Sequence, residues 1–223
     1  EKFFDIKKFT WDRKVKNWIK PMNLVGVSSW ISNCAQESYL MKDWPNTVIH
    51  NTLDINYWKP ENKAKARDYF ELPKDIKIFG YGSLGYKNSS LKGKDLLLEA
   101  IKHLKHNKEK YGIFFLGEGN KFASEIEGVK IFEVGRLDNN DEIKNFYNSL
   151  DFVVIPSRLE SFGQTASEAS SCGVPSIAFN CTGLKDIIFH KINGWLAKPF
   201  DTKELARGID FFLNMDEKDL KKM

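Results

Sequence analysis

The chain has 223 residues, 42% of them hydrophobic, enough for one or two domains with cores of their own. Its net charge of +4, from 34 basic and 30 acidic residues, is spread without a long Lys/Arg block. No nucleic-acid recognition module or aromatic–basic motif is present, so nucleic acid is excluded as the partner, and the charge is either a solvated surface or a lean toward phosphates or an anionic membrane face.

Residues 1–60 differ from the rest. A charged, aromatic opening without an initiator Met leads to a buried strand at Leu24–Ser28, a helix at Ile31–Tyr39 and a second strand at Thr47–His50. Asn51-Thr52-Leu53-Asp54 and Trp58-Lys59-Pro60-Glu61 then form a connector. We read residues 1–55 as the last βαβ piece of a preceding domain with its hinge, and residues 56–223 as a domain of their own. From Ile76 onward apolar runs recur at Ile76–Tyr81, Tyr111–Gly117, Val129–Val134, Phe152–Ile155, Ser176–Phe179 and Gly194–Ala197. Between them lie helical stretches, with Leu97, Ala100, Ile101 and Leu104 on one face, Ile143, Phe146, Tyr147 and Leu150 on another, and Leu205, Ile209 and Phe212 on a third. Strands alternating with helices predict an α/β, doubly wound parallel sheet, Rossmann-like, with a partial second Rossmann-like unit before it. The chain stops inside a Lys-rich helical pattern and reads as cut from something longer. No apolar run nears the ~18 residues of a membrane span, and the opening does not read as a signal peptide. Cys34, Cys172 and Cys181, without CxxC spacing, read as free buried thiols in a reducing compartment.

The most informative stretch is Glu160-Ser161-Phe162-Gly163-Gln164-Thr165, with Glu168 close behind and Phe152-Val153-Val154-Ile155-Pro156 before it. It reads as a buried strand, a tight loop and a helix start. With Ser161 as N-cap, Phe162, Gly163 and Gln164 are the first helical residues, and Gly163 admits a ligand close to the backbone. Unpaired amides and the helix dipole make such an end an anion site. Eight helical steps would set the two glutamates about 12 Å apart along the axis, flanking a diphosphate and accepting from hydroxyls on either side. The competing reading is a pair of capping boxes, Ser161 to Gln164 and Thr165 to Glu168. Cys172-Gly173-Val174-Pro175 stops the helix.

Other candidates keep two readings each. Gly80-Tyr81-Gly82-Ser83-Leu84-Gly85 matches GxGxxG, but the polar stretch from Tyr86 to Leu91 stands where a dinucleotide fold needs a helix. It is either a Gly-rich loop whose amides face the cleft or an ordinary connection. Lys92-Gly93-Lys94 opens a helix, Lys92 meeting a phosphate as a point charge or simply solvent. Gly117-Glu118-Gly119 and Gly135-Arg136 follow strands, with Arg136 either a phosphate or base contact or a surface arginine. Thr182-Gly183-Leu184-Lys185-Asp186 closes the pocket or is a plain turn. The four histidines form no metal-ligand set, and no Ser/His/Asp or Cys/His constellation can be drawn.

These residues resemble the retaining glycosyltransferases of family 4, of GT-B fold and bacterial polysaccharide type, over nearly the whole chain. The segment from Asp151 to Pro199 carries most of the likeness, with the family's two spaced glutamates on Glu160 and Glu168 and its Lys-Gly on Lys92-Gly93. Ser29-Trp30 and Val48-Ile49-His50-Asn51 resemble the end of the family's N-terminal domain and its link. The resemblance implies that Glu168 holds the nucleotide ribose, and that Glu160, with Ser161, Gln164, Thr165 and the amides near Phe162 and Gly163, contacts donor sugar and diphosphate. Lys92 would neutralise the leaving group, and Gly135, Arg136 and Leu137 would lie near the base. Many members carry an arginine near Ser83; here it is absent, which shifts phosphate binding toward Lys92. The resemblance further implies transfer from a nucleoside-diphosphate sugar to a glycan or lipid-linked acceptor, with no metal and no other cofactor, at the cytoplasmic membrane face. A sugar-nucleotide epimerase of similar architecture and a noncatalytic nucleotide-sugar-binding module are the alternatives. The fragment alone is expected to turn over little.

Overall fold

The structure is a computed structural model whose described residues are 4–83, 90–117, 125–220 and 222–223. The chain divides into two compact units, residues 1–51 and 52–223. The first holds α1 (Ile6–Asn17), β1 (Leu24–Gly26), α2 (Ser29–Glu37) and β2 (Asn46–Val48), with β1 and β2 paired in parallel as a βαβ piece requires. Asp5 and Ser28 cap the two helices through their side-chain oxygens. The hydrophobic pattern gave no sign of α1: none of its residues is buried, and Trp11 and Trp18 hold it by ring contacts with Tyr39 and Trp44. Of the three thiols expected to be buried, only Cys172 is; Cys34 is exposed and Cys181 half-buried.

The second unit runs α3 (Lys63–Tyr69), β3 (Lys77–Ser83), α4 (Lys94–Lys102), β4 (Tyr111–Gly117), β5 (Glu125–Ile126), β6 (Val129–Gly135), α5 (Asn140–Ser149), β7 (Phe152–Ile155), α6 (Gln164–Ser171), β8 (Ser176–Phe179), β9 (Gly194–Ala197), α7 (Thr202–Asn214) and α8 (Glu217–Leu220). Its strands form one sheet in the order β5-β6-β4-β3-β7-β8-β9, parallel throughout except for the antiparallel β5–β6 pair. Successive side chains on a strand point to opposite faces. Phe79, Ile113, Phe115, Phe152, Val154 and Ile177 therefore meet Leu97 and Ile101 of α4 and Leu205, Ile209 and Phe212 of α7. Ile78, Phe114, Val153, Ile155 and Ala178 meet Phe146, Tyr147 and Leu150 of α5 and Ala166 and Ala169 of α6. The near-continuous apolar runs in the sequence follow from this burial on both faces.

Connectivity fixes where the loops gather. From β3 the chain steps outward through β4 to β6, then returns to lay β7 on the other side of β3 and continues to β8 and β9. The reversal falls between β3 and β7. In doubly wound sheets the crevice at the carboxyl ends of strands beside such a reversal is where ligands bind.

Candidate functional site

Two helices begin at this crevice, and each begins on a left-handed glycine. Gly93, at φ 68°, is the N-cap of α4, and Gly163, at φ 111°, is the N-cap of α6. Neither cap has a side chain to occupy the first amides of its helix, which also lack intrahelical partners. A Cβ on Gly93 would drive into the carbonyl oxygen of Pro156, so the glycine lets the loop after β3 lie directly on the loop after β7. A Cβ on Gly163 would come within 2.6 Å of Leu184 Cδ2. This glycine is required by packing within the protein, whereas the sequence reading gave it to ligand approach.

The ion pair at the centre joins the same two loops. Lys92 Nζ, at the end of a 3-10 turn over Ser90–Lys92, donates to Glu160 Oε1 at 2.7 Å, and the buried Ser157 hydroxyl donates to the same oxygen at 2.8 Å. Lys92 keeps about a third of its side chain exposed and Glu160 17%, so the pair is sheltered yet within reach of solvent. Beside it Arg158 forms a two-pronged pair with Asp95 in the first turn of α4, at 2.8 and 2.6 Å. Its side chain also reaches the Ser90 carbonyl, and its own amide donates to that of Leu91. The guanidinium holds the Asp95 carboxyl below its ordinary pKa. A third support comes from the turn over Thr182–Asp186. Thr182 Oγ1 accepts from the Glu160 amide, and the Gly183 amide donates to the Glu160 carbonyl. Gly183 lies so close to Ser161 and Phe162 that no side chain would fit.

Glu168 lies one turn into α6. The buried Tyr147 hydroxyl of α5 donates to its Oε2 at 2.8 Å, and the Gln164 side chain supplies a second hydrogen bond. Burial pushes the Glu168 carboxyl above its ordinary pKa, and both hydrogen bonds oppose that rise. Burial, then the neighbouring carboxylate, pushes the Tyr147 phenol well above its own. Glu168 therefore presents a charge in a partly desolvated place, held by neutral donors, with lone pairs left over.

The other expected residues are placed as follows. Ser161 is exposed and does not cap α6; the cap is Gly163, two residues on, so Glu160 stands off the helix and the helical spacing between the glutamates does not apply. Neither capping box forms at this helix start. Phe162 is buried, Gln164 exposed, and Thr165 half-buried with its side chain on Tyr147. Gly80 and Gly82 lie within β3 and not in a loop, with Gly80 making room for Leu150. Ser83 ends β3, while Leu84, Gly85 and Tyr86, and Glu118 and Gly119 after β4, lie outside the described residues. Gly135, at φ 75°, ends β6; Arg136 pairs with Asp138 at 2.7 Å on the surface, and Leu137 is buried in the same apolar cluster as Tyr147 and Ala166. Among the described residues no group of three or more His, Cys, Asp or Glu side chains is placed to hold a metal ion. Tyr147, Ser157, Arg158 and Thr182 were not singled out as site residues by sequence. Tyr147 read as core, Thr182 as the start of a pocket-closing segment or a plain turn, and no local pattern marked the other two.

The glycosyl transferases group 1 family profile matches residues 63–223, most of the chain. The chain belongs to this family. Among relatives of the group 1 glycosyltransferases, an uncharacterized glycosyltransferase of Methanocaldococcus jannaschii is 33% identical over 180 residues, covering 75% of this chain and 44% of its own length. This chain thus spans less than half the length of that relative. Among solved structures, sucrose-phosphate synthase from Thermosynechococcus elongatus superposes with a TM-score of 0.77 at 20% identity, over 99% of this chain and 55% of that one. Anabaena HepE in complex with UDP-glucose superposes at 0.68, also at 20% identity, over 90% of this chain and 56% of that one. These likenesses establish the GT-B glycosyltransferase fold expected from the sequence.

Proposed function

We propose that residues 52–223 bind a nucleoside-diphosphate sugar, and that residues 1–51 are part of an acceptor-binding unit. The observation that carries this reading is the meeting of Lys92 and Glu160 at the reversal between β3 and β7, between two helix starts capped only by glycine. Lys92 and the amides at Gln164 and Thr165 face the diphosphate, substituting for a metal in stabilising the leaving group. Glu160 turns from Lys92 toward the donor sugar as phosphate takes over the ammonium. Glu168 accepts from the ribose hydroxyls, and the segment from Gly135 to Leu137 lies on the base side. That HepE is described with UDP and with UDP-glucose supports a donor of this class. The complete protein would transfer the sugar, with retention, to a glycan or lipid-linked acceptor at the cytoplasmic membrane face, in polysaccharide assembly. Among the described residues no helix is long and apolar enough to cross a membrane.

Calorimetric titration with UDP-, GDP- and dTDP-sugars, and NAD as control, tests the donor site. One nucleotide-sugar series binds, weakly and without turnover in this chain alone, and Lys92→Met weakens it by roughly tenfold or more. Equal affinity for NAD, or no effect of Lys92→Met, would sink the proposal. Conversion of the sugar nucleotide with no acceptor present would point to an epimerase instead.

A further inference from the structure

We propose that Tyr147 is a positioning residue, whose hydroxyl fixes the Glu168 carboxylate in the orientation that receives the ribose. The inference rests on the donor-site reading above and adds to it a residue from a different helix.

The geometry is that of a support rather than a ligand. Tyr147 is 3% exposed, so its hydroxyl is out of reach of a nucleotide except through Glu168. It donates to Oε2 at 2.8 Å, while the Gln164 side chain makes the second contact to the carboxylate. The phenol itself is fixed. Its ring makes edge contacts with Trp58 and Phe146, and its oxygen also meets the Thr165 side chain. The adjacent Asn148 ties α5 to the connector, its Oδ1 accepting from the Glu61 amide at 2.6 Å and its Nδ2 donating to the Lys59 and Lys144 carbonyls. The hydroxyl thus points from a rigid surface. A glutamate on an open helix face samples several rotamers; one whose Oε2 is held by an immobile donor presents its free lone pairs in one direction. Two vicinal hydroxyls need that directionality, whereas a phosphate does not.

The test compares UDP and GDP with their dideoxyribose counterparts by calorimetry, using wild type and Tyr147→Phe. Phenylalanine keeps the ring contacts and removes only the hydroxyl. Wild type prefers the ribose form by roughly tenfold or more. Tyr147→Phe loses most of that preference, while its affinity for the dideoxy form is unchanged; a general loosening of α5 would lower both. If wild type binds neither nucleotide, or does not distinguish the sugars, the donor-site reading fails and this inference with it. If wild type distinguishes them and Tyr147→Phe does so equally well, the donor site stands and the positioning role is overturned. Should Tyr147→Phe not melt cooperatively, Tyr147→4-aminophenylalanine, which keeps a donor at the ring's end, and Tyr147→4-fluorophenylalanine, which fills the same space without one, replace it. The first keeps the ribose preference and the second loses it; an equal preference in both overturns the positioning role.

Discussion

At Glu168, the proposed binding role and stability pull in opposite directions. The carboxylate sits where burial disfavours its charge, and its folded-state pKa is raised above the ordinary 4.5. Between the unfolded and folded values the native chain holds more protons than the unfolded one, so stability falls as pH rises through that window. Below the unfolded value the group is neutral in both states and the loss disappears. Glu168→Gln keeps an acceptor for the Tyr147 hydroxyl and removes the ionisation. We expect it to melt above wild type near neutral pH, by about 2–4 °C for each kcal/mol regained, with the gap closing toward about pH 4. Nucleotide affinity should fall in the same variant, the opposition typical of a residue kept for binding. Melting curves across the pH range decide it: a Glu168→Gln variant less stable than wild type at neutral pH would mean that the carboxylate is a structural strut.

At the scale of elements, the site is made by two loops pressed together, and Gly93 is the point of contact. Alanine there meets both a left-handed backbone and the Pro156 carbonyl. The strain costs about 1–3 kcal/mol and the overpacking a similar amount, so Gly93→Ala should lower chemical-denaturation stability by roughly 2–6 kcal/mol. Loss below about 1 kcal/mol would show that the loops separate freely. The Arg158–Asp95 pair spans the same junction, with Asp95 exposed and Arg158 half-buried. Its coupling in a double-mutant cycle should be under about 1 kcal/mol in stability, with a larger effect on nucleotide affinity through the placement of Lys92. How far these elements were legible follows from what each depends on. Strands β4, β7 and β8 match their apolar runs because burial on both faces leaves a continuous signal. Helix α3 escaped because seven residues with three basic side chains show no apolar period. The start of α6 was misplaced because Ser161 has the chemistry of a cap, while the cap actually used is imposed by Leu184 packing on Gly163. Tyr147 read as core at helical spacing with Ile143 and Leu150, which it is; nothing local indicates that its hydroxyl reaches Glu168, 21 positions away.

Over the whole second unit, the two ends of the sheet are specialised. The carboxyl ends hold glycine-capped helix starts and a solvent-reachable ion pair; the amino ends hold a closed polar network. Arg67 of α3 donates to Asp151 Oδ2 at 2.7 Å and to the carbonyls of Ser149, Pro73 and Ile76. Asp151 also accepts from the Ile78 amide and from Lys63, so every strong donor and acceptor there is engaged within the protein. Arg67 and Asp151 are both buried, and such a pair adds little over an apolar replacement but is costly to break on one side. Arg67→Met would leave the buried carboxylate only Lys63 and the Ile78 amide, and three carbonyls without their donor, and should lower unfolding stability by about 3 kcal/mol. The network lies at the amino ends of β3 and β7, away from Lys92 and Glu160, so molecules that remain folded should bind nucleotide as wild type does. Denaturant melts alongside calorimetry on the folded fraction separate the two effects. A proportional loss of affinity would mean that the ends of the sheet are coupled, and that the connector anchored by α3 reports on the donor site.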